Sequence, residues 1–242
     1  MIFRTSVKLT LLLLILALVF GRLGWWQLER KAEKEAMLEQ FVNAPMLSVR
    51  KAVDQEQLFA RVAGFGRYDT ERHILLDNRM FKGRPGVHVL TPFTLEDGAT
   101  ILVNRGWLPI PPDRSRLPEV PTDDSLRAIS GRLNRLPGDG PRLGGDDTLT
   151  PSSWPQLVTY FDLEPVEEAL GLSLLPWIVQ LDPDREDGFS DRQWKVAVME
   201  PEVHGGYAVQ WFGLMTAAIV IWLTLGIHTG MQQHRRPTEE SE

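Results

Sequence analysis

The sequence predicts a membrane protein in which an N-terminal and a C-terminal transmembrane helix flank an α+β, mainly antiparallel β, extracytoplasmic domain. Three observations carry that prediction. Residues 207–227 contain no charged side chain, and a run of about 20 apolar residues at 1.5 Å each crosses the hydrocarbon core. Residues 11–20 are solidly apolar between Lys8 and Arg22. Between these ends lies a polar stretch of short β-type runs bounded by Pro, Gly and Asp. The whole-chain average, 43% hydrophobic and 24% charged, resembles that of a soluble protein and hides both ends.

The first span reaches full length if Arg22 snorkels and Trp25 and Trp26 form the interfacial belt. A cleaved signal peptide is the rival reading, because Arg4 and Lys8 make a basic start before a short apolar run. No A-x-A-like site follows Phe20, and Arg22, Trp25 and Trp26 are too bulky for one, which favours a retained anchor. Trp26, Leu28, Ala32, Ala36, Met37 and Phe41, interleaved with Glu and Lys, continue the helix as an amphipathic one until Asn43 and Pro45. Strands are expected within 61–66, 73–77, 86–90, 100–104, 126–133, 177–181 and 193–199. Asp162 is placed to cap a short helix that Gly171 stops. Residues 105–124 and 137–155 read as long loops, with Gly138, Gly140, Gly144 and Gly145 as turn residues. The organisation is then 1–28 for the cytoplasmic start and first span, 29–206 for the domain, 207–228 for the second span and 229–242 for a tail.

Arg4, Lys8, Arg235 and Arg236 sit on one side of the two spans, which puts both termini in the cytoplasm. Arg22, Arg30, Lys31 and Lys34 oppose this locally, although long domains cross regardless of charge. The 27–206 segment carries a net charge of −8, so nucleic acid is a poor partner, while the two apolar spans make the lipid bilayer one. Absence of cysteine excludes disulfides, thiolate ligands and thiol nucleophiles. No zincin, nucleophile-elbow, P-loop or dinucleotide motif occurs. The acidic run 182–188 has some calcium-loop character but lacks the Gly at its sixth position and has Gln193 where a bidentate Glu belongs, so a solvated acidic turn is the simpler reading. Glu167 and Glu168 diverge on a helix and face water. His88 suits a half-buried sheet position, His73 a surface one, and His228 and His234 a cytoplasmic tail.

His204 stands apart, because it precedes the second span and positions 204, 207, 211, 214 or 215, 218 and 222 share one helical face. Two readings are open. A neutral imidazole there can ligate haem iron while Tyr207 and Trp211 cover the ring. Alternatively, Tyr207, Trp211 and Trp222 are belt aromatics and His204 a solvated junction residue. Gly21 and Gly24 in the first helix, with Gly213 and Ala217 in the second, offer small faces for close helix approach.

Four segments carry a resemblance to a known family: the run 23–30 (LGWWQLER), the run 83–92 (GRPGVHVLTP), the run 100–109 (TILVNRGWLP), and His204 with Tyr207 and Trp211 spaced as H-x-x-Y-x-x-x-W. Together they resemble the Surfeit-locus (Surf-one, Shy-one) family of cytochrome c oxidase assembly factors, in order and over nearly the whole chain. The resemblance implies an inner-membrane protein with a periplasmic domain, needed to build haem-copper oxidase and not itself an enzyme. It also implies binding of haem a, taken from haem A synthase and delivered to oxidase subunit I. The family's haem-linked histidine corresponds to His204. Here Glu202 and Val203 stand where related chains often carry Asn, and Gly205 and Gly206 replace larger residues. Arg105 and Trp107 are assigned to partners or haem propionates, or else Arg105 to an ion pair inside the domain. Trp25, Gln27 and Arg30 either read a partner membrane protein or anchor the helix at the headgroups. Two other functions compete: a scaffold that binds no cofactor, and a membrane-anchored enzyme working through His88, Asp77 or Asp162.

Overall fold

A computed structural model describes residues 5–114, 116–138, 149–194 and 200–234. Its elements run α1 (Val7–Val42), β1 (Met46–Ser48), α2 (Val49–Asp54), β2 (Arg61–Tyr68), β3 (Ile74–Phe81), β4 (Arg84–Leu95), β5 (Thr100–Pro109), β6 (Arg127–Arg135), β7 (Gln156–Val158), α3 (Leu163–Leu170), β8 (Leu174–Leu181) and α4 (Pro201–His234). Two compact units result, one of Met1–Glu39 with Val196–Glu242 and one of Gln40–Lys195. Arg4, Gly140, Gly144, Gly145, Arg235, Arg236 and the end of the 193–199 run lie outside the described residues, and Gln193 and Trp194 belong to no strand.

The first unit is a helix pair. With 36 and 34 residues, α1 and α4 are each long and apolar enough to cross a bilayer. Leu12, Ile15, Leu18, Val209 and Val220 are exposed along them, an apolar surface that lipid solvates and water does not. The protein is therefore a membrane protein with two transmembrane helices around a β-rich domain. Contacts step in opposite senses along the two chains. Trp222 Nε1–H donates to Thr10 Oγ1 at 3.2 Å, Phe20 stacks on Trp211 with centroids 5.8 Å apart, and Gln27 meets His204 at 2.8 Å. The helices are antiparallel, so both chain ends leave from the same end of the pair. Thr10 and Gln27 lie about 25 Å apart along α1, close to the hydrocarbon thickness, so the two polar contacts bracket the apolar core.

Gly21 and Gly24 face α4, where a Cβ on Gly24 would stand 2.9 Å from the Phe212 ring. The matching small face expected on α4 is elsewhere. Nothing lies within 4 Å of a Cβ built on Gly213, and Ala217 is exposed, while Ala208 and Ala218 are buried. At 100° per residue, 204, 208, 211, 215, 218 and 222 form the α1-facing line, and 213 and 217 fall on the other side.

The second unit is a barrel. Strands β2, β6, β8, β5 and β4 neighbour one another in that order, and a β2–β4 pairing closes the ring. Strand β4 makes this possible through its 12-residue length: its first half pairs with β3, and its Phe93–Leu95 end pairs with Tyr68, Arg67 and Gly66 of β2. The expected antiparallel sheet holds for most ladders, but β1–β2, β3–β7 and β5–β8 are parallel. Local alternation fixes which face a residue takes and is silent about strand direction, which long connections decide.

Inward positions Val62, Phe93, Ile101, Val103, Leu133 and Val179 are fully buried together, and α2 adds Val49 and Ala52 to the same cluster. Leu76, Leu90, Leu102 and Ile178, on the outer face, pack under Val166 and Leu170 of α3. Asp162 holds the N-cap position of α3 with extended backbone but makes no side-chain cap bond, and Gly171 ends the helix at φ 64°. Residues 105–109, expected in a loop, continue β5 instead. Their Pro and Gly content disguises a strand that bulges at Gly106.

Candidate functional site: the histidine at the start of α4

His204 lies inside the first turn of α4 rather than before it, because Pro201 starts the helix six residues earlier than the apolar run suggests. Its Nδ1–H donates to Gln27 Oε1 at 2.8 Å across the helix pair. Gln27 is 9% exposed and is one of two buried residues on α1, with Gly24. Since Nδ1 holds the proton, the lone pair of the neutral ring is on Nε2, which has no bond among the described residues. A helix surface thus presents an imidazole whose Nδ1 side is held by Gln27 and whose Nε2 side is partly open to its surroundings.

The aromatic neighbours divide. Trp211 lies on the α1-facing line and stacks against Phe20. Tyr207 departs from the expected shared face: it is 43% exposed, and Ala208 takes the buried position. Trp25 and Arg30 are exposed on α1. Trp25 Nε1–H donates to Glu29 at 2.8 Å, and Arg30 pairs with Glu33 at 2.6 Å while lying 5.7 Å from the Trp26 ring centre. Arg22 reaches Glu29 at 3.6 Å. Exposed pairs of this kind contribute little to stability. Phe20 and Glu29 were not anticipated. Only the antiparallel register reveals the first, and the i,i+4 spacing from Trp25 is the signal for the second.

Arg105 and Trp107 are committed inside the barrel unit. Arg105 is 3% exposed and donates to Asp187 O at 2.8 Å, Thr122 Oγ1 at 2.5 Å and Pro121 O at 3.2 Å. Its guanidinium lies 4.8 Å from both the Tyr68 and Phe189 ring centres. Burial pushes its pKa down, and the nearby Tyr68 and Asp187 work against that. Trp107 is 6% exposed and donates to Arg79 O at 2.9 Å. An ion pair was one expectation for Arg105, but carbonyls and a hydroxyl are its hydrogen-bond partners, and both residues hold the fold.

The run 103–107 is explained residue by residue. Asn104 Oδ1 accepts Gly106 N–H at 3.1 Å, Gly106 takes φ 106° with the Ser190 carbonyl where a Cβ would go, and Trp107 N–H donates to Ser190 O at 2.7 Å. The Trp107 ring occupies the space over Gly86, so two of the four resembling segments are packing partners.

The acidic 182–188 turn points inward at Asp187, which accepts from Tyr68 Oη–H at 2.9 Å and lies 3.4 Å from Arg185. Burial and this carboxylate push the Tyr68 hydroxyl pKa up. His73, expected at the surface, is 3% exposed: β3 begins one residue later and carries it under the sheet, where Thr91 and Thr70 bond its two nitrogens. Asp77 is likewise buried and paired with Arg114 at 2.7 Å.

Two transmembrane helices joined by an imidazole–amide pair, with a closed β-barrel domain inserted in the sequence that connects them, define a membrane-anchored barrel protein. Residues 14–216 match the SURF1 family, and the chain belongs to that family. It is similar to a SURF1-like protein of Rickettsia bellii (strain RML369-C), 26% identical over 229 residues that cover 90% of this chain and 89% of the relative. Similarity extends to a SURF1-like protein of Monosiga brevicollis, 26% identical over 88% of this chain and 85% of the relative. Surfeit locus protein 1 of Takifugu rubripes is 26% identical over 87% of this chain and 93% of its own length.

Proposed function

We propose that this SURF1-family protein is an assembly factor for cytochrome c oxidase that binds haem a through His204, receives it from haem A synthase and passes it to oxidase subunit I. The observation that carries the reading is the His204–Gln27 pair, which fixes the tautomer and leaves Nε2 available. The donor set fits haem: one imidazole with Nε2 unbonded among the described residues, Tyr207 exposed one turn along the same helix and Trp211 a further turn on. Bound haem a would contribute its iron as the acceptor of the Nε2 lone pair.

What the chain does is hold and release. A carboxylate behind the imidazole would raise its basicity, whereas the neutral Gln27 amide orients the ring without strengthening the bond, which suits a cargo handed onward. Trp25, Trp26 and Arg30 set the height of the site at the headgroups, where a flat ring keeps its polar edge near water. In this reading the protein sits in the inner membrane, both termini are cytoplasmic, the barrel is periplasmic, and no substrate is turned over. Support for that orientation is Lys8 at the terminal end of an antiparallel pair.

The test is the absorption spectrum of the full-length protein purified in detergent after co-expression with haem A synthase. A Soret band that is lost in His204→Ala, with the extracted pigment chromatographing as haem a, is the expected result. A colourless wild type overturns the carrier and favours the cofactor-free scaffold.

A further inference from the structure

The outer face of the barrel carries a cavity of about 650 Å³ that plays no part in the haem reading. Its floor is a polar row laid across adjacent strands: His88 on β4, Asn104 on β5 and Gln180 on β8, with Asn104 and Gln180 directly paired in register. Elsewhere on this face the same strands carry Leu90, Leu102 and Ile178 under α3. Polar side chains in place of that apolar packing require partners.

The bonding inside the row consumes acceptors and leaves donors. Asn104 Oδ1 accepts the Gly106 amide at 3.1 Å, so its Nδ2 faces His88 Nδ1 at 3.3 Å, and the imidazole proton is placed on Nε2. Asn134 Oδ1 accepts the Arg135 amide at 2.8 Å, so its NH2 remains. Arg79, half-buried at the end of β3, has a buried Nε with no partner and no ion pair among the described residues. Burial pushes its pKa down, the direction expected of a cation without a counter-charge. Charge agrees with geometry: Arg79, Lys82 and Arg135 line the cavity against Asp191, the one carboxylate among its described lining residues, in a domain segment whose net charge is negative. Trp194 stands edge-on to the imidazole, with ring centres 5.8 Å apart, and fixes its plane.

We infer that this cavity binds an oxyanion, a phosphate or carboxylate group, with the Arg79 guanidinium as its principal partner and His88 Nε2–H and the Asn134 amide as neutral donors. Guanidinium and planar or tetrahedral oxyanions match as paired N–H donors and oxygen acceptors, and a half-buried arginine whose buried Nε has no partner among the described residues gains from one. The group arrives either on a soluble compound or as a phospholipid headgroup.

The experiment is calorimetric titration of the full-length protein in phosphatidylcholine nanodiscs. Inorganic phosphate and succinate serve as soluble probes, and dihexanoyl phosphatidylglycerol as the headgroup probe. Saturable binding of a soluble probe, weakened at least tenfold in Arg79→Gln and unchanged in Arg61→Gln on exposed β2, supports the inference with a soluble source. Saturable binding of the lipid probe alone, with the same Arg79 dependence, supports it with a headgroup source. Should Arg79→Gln fail to fold, Asn134→Leu takes its place, with at least a threefold loss expected. No saturable heat with any probe, or equal binding in wild type and the lining variants, overturns it. His204→Ala is expected to bind the probe as wild type does, so failure here and failure of the haem reading are separate results.

Discussion

Two histidines of the barrel make the protein's stability fall on mild acidification. His73 is bonded as a neutral ring: its Nε2–H donates to Thr70 O at 3.2 Å, and its Nδ1 accepts from Thr91 Oγ1 at 3.1 Å. Burial, aided by the Arg105 charge, pulls its pKa down to about 4. Burial and then Arg79 do the same to His88, also to about 4. In the unfolded chain both titrate near ~6.5, so the unfolded state takes up protons first as the pH drops. Their contribution is complete above about pH 7 and is lost as the pH falls from about 6.5 toward 4. At about pH 5 each histidine removes roughly 2 kcal/mol, and allowing for the partial exposure of His88 the pair removes about 3 kcal/mol. For a unit of this size that lowers the midpoint by roughly 6 to 12 °C. Asp123, held well below the usual carboxylate range by Arg127, titrates beneath that window. The assay is thermal unfolding of the detergent-solubilised protein, followed by the β-sheet circular dichroism signal at about pH 7.5 and 5. The double variant His73→Gln/His88→Gln should lose most of the difference between the two conditions. If wild type and double variant lose the same amount, the neutral-imidazole argument is refuted.

On the proposed haem reading, Gln27→Leu should leave the helices paired but lower haem retention about 10- to 100-fold, while Gln27→Glu should strengthen it, both read from Soret absorbance after dilution. Gly106→Ala forces a Cβ at φ 106° onto the Ser190 carbonyl and is expected to cost about 2–4 kcal/mol in chemical denaturation. Arg105→Lys keeps the charge but loses the two-ring stack and part of its three-bond fork, for an expected loss of about 2–3 kcal/mol by the same measurement. Phe93→Ala empties the centre of the barrel and should cost about 3–5 kcal/mol.

Local patterns made much of this legible. Both spans followed from charge-free apolar runs, most strands from alternation bounded by turn residues, and the end of α3 from Gly171, because each depends on neighbours within one or two turns of chain. His204 stands out in the sequence because a titratable residue at the lip of a span is uncommon. Tertiary structure decided the rest. Gln27 and His204 are 177 residues apart, and nothing in either neighbourhood marks the other as its partner. Tyr207, Gly213 and Ala217 lie off the face of α4 that meets α1, contrary to the spacing, because every face of an apolar helix in lipid looks alike. Closure of the barrel by β2 and β4, and the burial of Arg105 and His73, likewise depend on strand partners. Sequence periodicity states how a segment is used. The partner is set by long-range packing and by the requirement that each buried polar atom be bonded, and only the folded chain meets both.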